Sequence, residues 1–164
     1  MKKYITNSEY ETETLAYNLA KNLKPNSIIV LSGNLGTGKT RFVRGIAKYF
    51  GIENEVSSPT FTIVNEYTTK KNTSQLSKIF HFDVYRLTDS EDFENSIGTD
   101  YFLDSGLCII EWGEIIKDIL PSHTIYITID ACDSENLRTI QIEGDLSLWI
   151  YLQLIQLLKR HLLP

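Results

Sequence analysis

Cysteine is scarce in this chain: its 164 residues include two, Cys108 and Cys132. Neither belongs to a Cys-x-x-Cys pair, and no group of cysteines and histidines has the spacing of a zinc site. Their surroundings, GLCII and IDACD, are apolar or typical of a strand end. We therefore interpret both residues as buried or strand-end thiols rather than as metal ligands.

Basic charge is also in short supply. The chain has 16 Lys and Arg against 21 Asp and Glu, which gives a formal net charge of -5 and a pI of about 5.2. Nucleic-acid binding requires clustered Lys and Arg that neutralise phosphates. We therefore do not expect this chain to bind nucleic acid unaided, although a partner could carry the basic surface.

Long apolar runs are rare as well. No stretch supplies the roughly 18 uncharged apolar residues of a membrane-spanning helix, and the first residues, MKKYITNSEYETET, lack the apolar centre of a signal peptide. We expect a cytoplasmic protein with no membrane partner. The tail over residues 145–164 is the exception, because it is apolar on nearly all sides.

Two interpretations of this tail are open: a partner-binding or membrane-surface helix, or a C-terminal helix packed on the sheet. We favour packing, because only Lys159, Arg160 and His161 supply basic charge there.

The remaining sequence alternates between helical and strand patterns, and its length fits a single domain over residues 1–164. Ser8 followed by Glu11 is a capping-box pattern that predicts the start of a first helix. In chain order, the elements predicted after it are a strand in SIIVLSG, a helix in KTRFVRGIAKYFG, strands in SSPTFTIVNEYTT and IFHFDVY, an acidic helix capped by Asp89 or Ser90, a strand in GLCIIEW, a helix in EIIKDILP, and an antiparallel hairpin of TIYITID with RTIQIEG.

The segment GNLGTGKT lies between the first predicted strand and the helix after it. It matches G-x-x-x-x-G-K-[ST] at every fixed position. The glycines allow the backbone N–H groups of Gly36 to Thr40 to wrap a β-phosphate, aided by the positive end of the helix dipole. Lys39 would reach the β- and γ-phosphates, and Thr40 would offer its hydroxyl to Mg²⁺. The segment therefore predicts nucleotide binding.

Two apolar strands end in a carboxylate, IFHFD at Asp83 and LCIIE at Glu111. In a parallel sheet such strand ends converge on the phosphate side. Carboxylates there can hold Mg²⁺, directly or through water, or orient an attacking water. The segment SSPT, residues 57–60, lies where switch segments place hydroxyls near a γ-phosphate; an ordinary Ser/Thr turn before a strand is the alternative.

Signatures of several other nucleotide-binding classes are missing from the sequence. No Asn is followed by Lys, so the guanine-specifying N-K-x-D pattern is absent and GTP preference is not supported. Arg41, Arg44 and Arg86 do not form a lid-like segment, and there is no H-R-D kinase loop. A small-molecule kinase and a non-enzymatic, nucleotide-dependent binding module remain as alternatives to an ATPase.

The segments GNLGTGKTRFVRG, SSPTFTIVNEY, HFDVYRL and IIEW follow one another in this order. In the order and spacing of these segments, the chain resembles the TsaE (YjeE) family over roughly Ile5 to Ile142. This family comprises bacterial ATPases of tRNA threonylcarbamoyladenosine biosynthesis. The resemblance implies an α/β, P-loop NTPase-like single domain with three layers, a mixed sheet that includes antiparallel strands, and helices on both faces.

The resemblance also implies ATP or ADP and Mg²⁺ as cofactors, and slow ATP hydrolysis by the chain alone. The implied partners are TsaB and TsaD, of which TsaD transfers the threonylcarbamoyl group to the adenosine beside the anticodon. The tRNA is then reached only through the complex. The ATPase cycle would reset or regulate that complex between turnovers.

The family resemblance further assigns roles to individual residues. It makes Lys39, Asp83 and Glu111 catalytic, and it makes Thr40 and Glu111 ligands of Mg²⁺. The implied nucleotide-binding set is Gly33, Leu35, Gly36, Thr37, Gly38, Lys39, Thr40, Arg41, Thr60 and Trp112.

Within that set, Thr60 belongs to the switch-like segment, and Trp112 is an aromatic at the nucleotide or partner face. The stretch from Thr6 to Glu9 is expected beside the adenine. The chain departs from the family pattern at Gly113, where proline is common, and in a loop over residues 70–78 that is longer than in compact members.

Overall fold

The computed structural model describes residues 1–53, 56–70, 76–132 and 136–144. None of the helices in these ranges has the length and apolar character that crossing a bilayer requires. In chain order the elements are β1 (Lys2–Thr6), α1 (Glu9–Ala20), β2 (Ile28–Ser32), α2 (Lys39–Tyr49), β3 (Val64–Thr68), β4 (Lys78–Asp83), α3 (Ser90–Ser96), a 3₁₀ helix (Asp100–Phe102), β5 (Leu107–Glu111), a second 3₁₀ helix (Gly113–Ile119), β6 (Ile125–Ala131) and β7 (Arg138–Glu143).

The strands form a mixed, seven-stranded sheet in the order β1-β7-β6-β2-β5-β4-β3. The central neighbours β6, β2, β5 and β4 are parallel, whereas β1, β7 and β3 join their neighbours antiparallel. The predicted mixed α/β architecture is confirmed. Because β2, β4 and β5 run in the same direction, their carboxyl ends meet at one edge of the sheet.

The central strands are buried on both faces, which explains their sequence pattern. Every residue of β5, LCIIE, is buried, and so are the first four residues of β2, IIVLS. Parallel strands covered on both sides have continuous apolar runs rather than alternation. The sequence therefore predicted both strands correctly.

Helices cover the sheet on both sides. The helices α1 and α2 pack on one face, in a core that includes Leu19, Phe42, Ile46, Ile29, Leu31, Ile109 and Ile127. The helix α3 and the two 3₁₀ helices pack on the other face, in a second core that includes Phe80, Phe82, Phe93, Phe102, Ile110 and Ile116. Alternate residues of β2 and β5 point into opposite cores, as the pleat of a strand requires.

The two helices of the first layer lie in close contact. Gly45 of α2 faces α1, and a Cβ at this position would lie 2.4 Å from the Glu13 carbonyl oxygen and 2.7 Å from the Ala16 Cβ.

Helix α1 begins as predicted, because Ser8 is its N-cap and its Oγ accepts a hydrogen bond from the Glu11 backbone N–H at 3.1 Å. The Asp89 cap of α3 is confirmed in the same way.

Some predicted elements differ from the structure. The strand predicted after Pro59 in SSPTFTIVNEYTT begins only at Val64, because the Pro59 carbonyl accepts hydrogen bonds from the N–H groups of Thr62 and Ile63 and closes a turn. The helix predicted in EIIKDILP is a 3₁₀ helix with a kink at Ile116. Strand β1 was not predicted, since five residues with two lysines give a weak alternation signal.

The prediction for the tail, residues 145–164, lies outside the described residues, as does the middle of the loop over 70–78. The packing helix at the C-terminus and the single domain over 1–164 stay predictions. The antiparallel pairing of β6 with β7 confirms the predicted hairpin.

Candidate nucleotide-binding site

The glycine-rich segment connects β2 to α2 at the carboxyl edge of the sheet. Gly33 has φ +135°, and a Cβ there would lie 2.2 Å from the Ile129 carbonyl oxygen, so this close approach of the loop to β6 requires glycine. Gly38 has φ +108° and is the N-cap of α2; because glycine has no side chain, it makes no side-chain hydrogen bond to the first turn of the helix. The N-terminal N–H groups of α2 are therefore available to an anion.

Lys39 is buried and folds back over the loop. Its Nζ donates hydrogen bonds to the carbonyl oxygens of Gly33 at 2.7 Å and Asn34 at 3.2 Å. The same ammonium lies 4.3 Å from the centroid of the Trp112 ring. Burial lowers the pKa of Lys39 from its usual value, and the charges of Glu111, Asp83 and Glu114 oppose that shift only in part.

The two strand-end carboxylates are neighbours, as the sequence predicted. In the register of β4 with β5, Asp83 is the direct partner of Glu111. Glu111 Oε1 accepts a hydrogen bond from Thr40 Oγ1 at 3.0 Å and lies 2.9 Å from His81 Nε2. The start of α2 is thereby connected to the ends of two strands.

Asp83 is bound from one side by hydroxyl groups. Its Oδ2 accepts hydrogen bonds from Ser58 Oγ at 2.7 Å and Thr60 Oγ1 at 3.2 Å, and the two hydroxyls are 2.8 Å apart. The Arg86 guanidinium donates to the Thr60 carbonyl oxygen. Asp83 Oδ1 is buried and has no hydrogen-bond partner among the residues that the structure describes.

An open cleft of about 600 Å³ lies above these groups. Of the residues predicted to bind nucleotide or metal or to act in catalysis, its lining contains Leu35, Gly36, Gly38, Lys39, Thr40, Arg41, Thr60, Asp83, Glu111 and Trp112. Thr37 lines a smaller neighbouring cavity, and Gly33, at the start of the loop, lies against the Ile129 carbonyl of β6. The structure thus brings the predicted residues together around one edge of the sheet.

The expected adenine side of the site contains charged pairs. Arg41 forms ion pairs with Glu9 at 2.8 Å and Glu13 at 3.2 Å. Glu9 also lines the cleft, which places the end of the predicted stretch Thr6 to Glu9 beside it. Thr6, by contrast, is buried and pairs with the Thr12 hydroxyl at 2.8 Å.

Trp112 takes a left-handed conformation with φ +64° directly after β5. The next residue, Gly113, is buried, and a Cβ there would lie 2.8 Å from Val30 Cγ2 and 3.1 Å from Ile110 Cγ2. The glycine that replaces the common family proline is therefore tightly packed. This turn holds the Trp112 ring at the cleft, next to Lys39.

Sequence reasoning missed several residues that contact the site. His81 binds Glu111, and Arg138 Nε donates to the Thr37 carbonyl oxygen at 2.9 Å. Ser58, which binds Asp83, belongs to the segment 57–60 that the sequence placed near the phosphates, although its partner was not predicted. Ser32 Oγ also donates to Glu114 Oε2 at 2.8 Å. A signal existed for His81 alone, since a histidine inside the apolar run IFHF needs a polar partner when it is buried.

Comparison with known proteins gives a consistent result. The model of the family described as "Threonylcarbamoyl adenosine biosynthesis protein TsaE" matches residues 6–140. A Rickettsia felis protein named tRNA threonylcarbamoyladenosine biosynthesis protein TsaE is 42% identical over 139 residues, which cover 84% of this chain and 77% of the relative. The protein of the same name from Bacillus subtilis is 37% identical over 161 residues, or 97% of this chain and 94% of the relative.

A solved structure agrees with these sequence matches. The crystal structure of YdiB from Bacillus subtilis superimposes with a TM-score of 0.71 and 33% sequence identity, and the superposition covers 98% of this chain and 95% of YdiB. The family match includes the glycine-rich loop, both strand-end carboxylates and Trp112. The chain therefore belongs to the TsaE family.

Proposed function

We propose that this protein is the ATP-binding and ATP-hydrolysing subunit of a tRNA threonylcarbamoyladenosine modification system. It supports turnover by TsaB and TsaD, and TsaD carries out the transfer to the adenosine beside the anticodon. Family membership supports the pathway, because the relatives are named for tRNA threonylcarbamoyladenosine biosynthesis. The observation that carries the ATPase proposal is the cleft shared by Lys39, Thr40, Asp83 and Glu111.

The proposed class is that of the P-loop NTPases. Support comes from the order of strand, glycine-rich loop and helix at β2 and α2, flanked by parallel strands that end in carboxylates. The net charge of -5 is consistent with a protein that reaches tRNA through its partners. We place the protein in the cytoplasm, with no membrane partner.

The loop and the first turn of α2 hold the phosphates of ATP or ADP in this proposal. Backbone N–H groups from Gly36 to Thr40 donate to the β-phosphate, and the dipole of α2 adds to the attraction. The Lys39 ammonium, which now donates to two carbonyl oxygens of the loop, turns to the β- and γ-phosphates instead. This exchange replaces hydrogen bonds to neutral oxygens with stronger ones to charged oxygens.

Thr40 and Glu111 fit an Mg²⁺ ion that accompanies the nucleotide. Mg²⁺ needs only one or two carboxylates when phosphates and waters complete its shell, and no group of three or more His, Cys, Asp or Glu within the described ranges could hold a metal. The Thr40 hydroxyl and the Glu111 carboxylate are hydrogen-bonded at 3.0 Å. Bound Mg²⁺ neutralises charge that develops on the β- and γ-phosphates.

Asp83 is the residue that we assign to the attacking water. Ser58 and Thr60 hold one of its oxygens, and the other is buried without a partner in the described part of the chain. A buried acceptor in this state is a place for an ordered water or ion. Asp83 Oδ1 would accept a hydrogen bond from the water and orient it towards the γ-phosphate.

Phosphate release by the full chain tests this function. We expect slow release from Mg-ATP alone and faster release when TsaB, TsaD and tRNA are added, with Lys39→Ala inactive in both conditions. ADP formation that requires a small-molecule acceptor, with the phosphate transferred to that acceptor and not released, would identify a kinase instead. Nucleotide binding without release, in an assay where the chain still supports modification, would identify a binding module.

A further inference from the structure

His81 is a polar residue in the middle of β4, and its side chain has no exposed surface. It points to the same face of the sheet as Asp83, two positions along the strand. Its Nε2 lies 2.9 Å from Oε1 of Glu111, on the neighbouring strand β5. The ring therefore lies below the proposed metal ligand rather than in the cleft itself.

The direction of this hydrogen bond follows from the chemistry of the two groups. An ionised carboxylate can only accept, so His81 Nε2 carries the hydrogen and donates it to Glu111 Oε1. Thr40 donates to the same oxygen. Glu111 Oε2 makes no hydrogen bond within the described ranges, while Glu111 itself lines the cleft.

The other ring nitrogen shows that His81 is not placed there for general packing. Nδ1 of His81 is buried and has no partner in the part of the chain that the structure describes. A residue that only filled this space would be better apolar, because burial of an unpartnered polar atom is unfavourable. The bond to Glu111 is the interaction that compensates for it.

We propose that His81 is a positioning residue for Glu111. It fixes one carboxylate oxygen from below and thereby directs the other, Oε2, to the Mg²⁺ that accompanies the nucleotide. Carboxylates that bind metals are commonly held by such outer hydrogen bonds, and loss of an outer partner weakens metal binding about 10- to 100-fold. This inference rests on the proposed metal role of Glu111.

Two polar replacements separate the hydrogen bond from the volume of the ring. In His81→Gln the side-chain amide reaches the position of Nε2 and can still donate to Glu111. In His81→Asn the amide ends near the position of Nδ1 and cannot reach. Both variants bury an amide in the space of the imidazole ring, so a difference between them reports the bond rather than the loss of histidine.

The measurement is calorimetric binding of a non-hydrolysable ATP analogue by the full chain, over a range of Mg²⁺ concentrations and without metal. For His81→Asn we expect that about a tenfold higher Mg²⁺ concentration is needed for half of the Mg²⁺-dependent gain in analogue affinity. The affinity for the analogue without metal should be unchanged. His81→Gln should stay close to the original protein in both. Thermal unfolding of each variant confirms that the folded protein was measured.

Glu111→Ala distinguishes the failure of this inference from the failure of the metal proposal. If Glu111→Ala changes the Mg²⁺ dependence but His81→Asn and His81→Gln give the same value, His81 does not position Glu111 and the metal role of Glu111 stands. If Glu111→Ala leaves the Mg²⁺ dependence unchanged, the metal role itself is wrong and the inference on His81 fails with it.

Discussion

Thr40 and Glu111 are 71 positions apart in the chain, yet a hydrogen bond of 3.0 Å joins Thr40 Oγ1 to Glu111 Oε1. Thr40 lies in the first turn of α2, and Glu111 ends β5, which runs parallel to β2. The chain leaves β2 through the glycine-rich loop and enters α2 beside the end of β5. Sheet topology, and not closeness in sequence, therefore brings together the two side chains that we assign to Mg²⁺.

Removal of the Lys39 ammonium should weaken nucleotide binding. For Lys39→Ala we expect about a 10- to 100-fold loss of affinity for Mg-ATP, the range that hydrogen bonds to charged groups contribute. Calorimetric titration measures it. Lys48→Ala, an exposed lysine on the same helix, is the matched control and should bind normally. Equal affinities of both variants would contradict the assignment of the phosphate loop.

Replacement of Asp83 should separate binding from hydrolysis. Asp83→Asn keeps the shape and an oxygen that Ser58 and Thr60 can bind, but it removes the charge to which we assign the orientation of the attacking water. We expect hydrolysis to fall about 100-fold or more, with Mg-ATP affinity close to the original. Single-turnover phosphate release and a binding titration measure the two quantities. A variant that binds weakly but hydrolyses normally would place Asp83 in nucleotide binding instead.

Nucleotide binding should be coupled to proton uptake at alkaline pH. Burial lowers the pKa of Lys39 in the free protein, and phosphates that contact the ammonium would raise it again. Between these two pKa values the free lysine is partly neutral and the bound one is charged. Binding therefore takes up protons, and affinity falls as the pH rises through this window.

Calorimetry in buffers of different ionisation enthalpy measures that uptake at about pH 9, where lysine is near its titration range and carboxylates are fully ionised. Lys48→Ala should show the same uptake as the original protein. If the measured heat did not depend on the buffer, the phosphates would not be changing the charge of Lys39.

Gly45→Ala should destabilise the protein, although replacing glycine by alanine usually stabilises a helix. Alanine is favoured over glycine in helix interiors by about 1 kcal/mol. Here the added Cβ would lie 2.4 Å from the Glu13 carbonyl oxygen, so α1 and α2 must separate. We expect a net loss of up to about 2 kcal/mol, because overpacking usually costs about 1–3 kcal/mol and the gain in helix propensity offsets about 1 kcal/mol of it. Urea denaturation measures it, with Lys48→Ala as the exposed control; greater stability of Gly45→Ala would show that the helices adjust freely.

The local signals in the sequence predicted much of this site. The glycine-rich segment needs only its own residues and the flanking strand and helix, and these were predicted in the right places. Asp83 and Glu111 were predicted as neighbours because both follow apolar runs and parallel strands end at a common edge. Their register confirms that they are direct partners. Their chemical roles stay predictions.

The contacts that the sequence did not predict depend on which residues face each other. The bond between His81 and Glu111 joins β4 to β5 diagonally, and only the register and the pleat of the sheet determine it. Ser58 reaches Asp83 because a turn at Pro59 replaces the predicted strand. The left-handed conformation of Trp112 was likewise not predicted; this residue precedes Gly113, which packs closely against Val30.

Multiple-turnover modification of tRNA by purified TsaB and TsaD, with and without this chain, tests the central claim most directly. With excess tRNA and Mg-ATP, we predict that the chain raises the number of modified tRNA molecules per TsaD well above one, and that Lys39→Ala and Asp83→Asn do not. If repeated rounds proceeded equally well without the chain, or equally well with Asp83→Asn, ATP hydrolysis by this protein would not be what supports turnover.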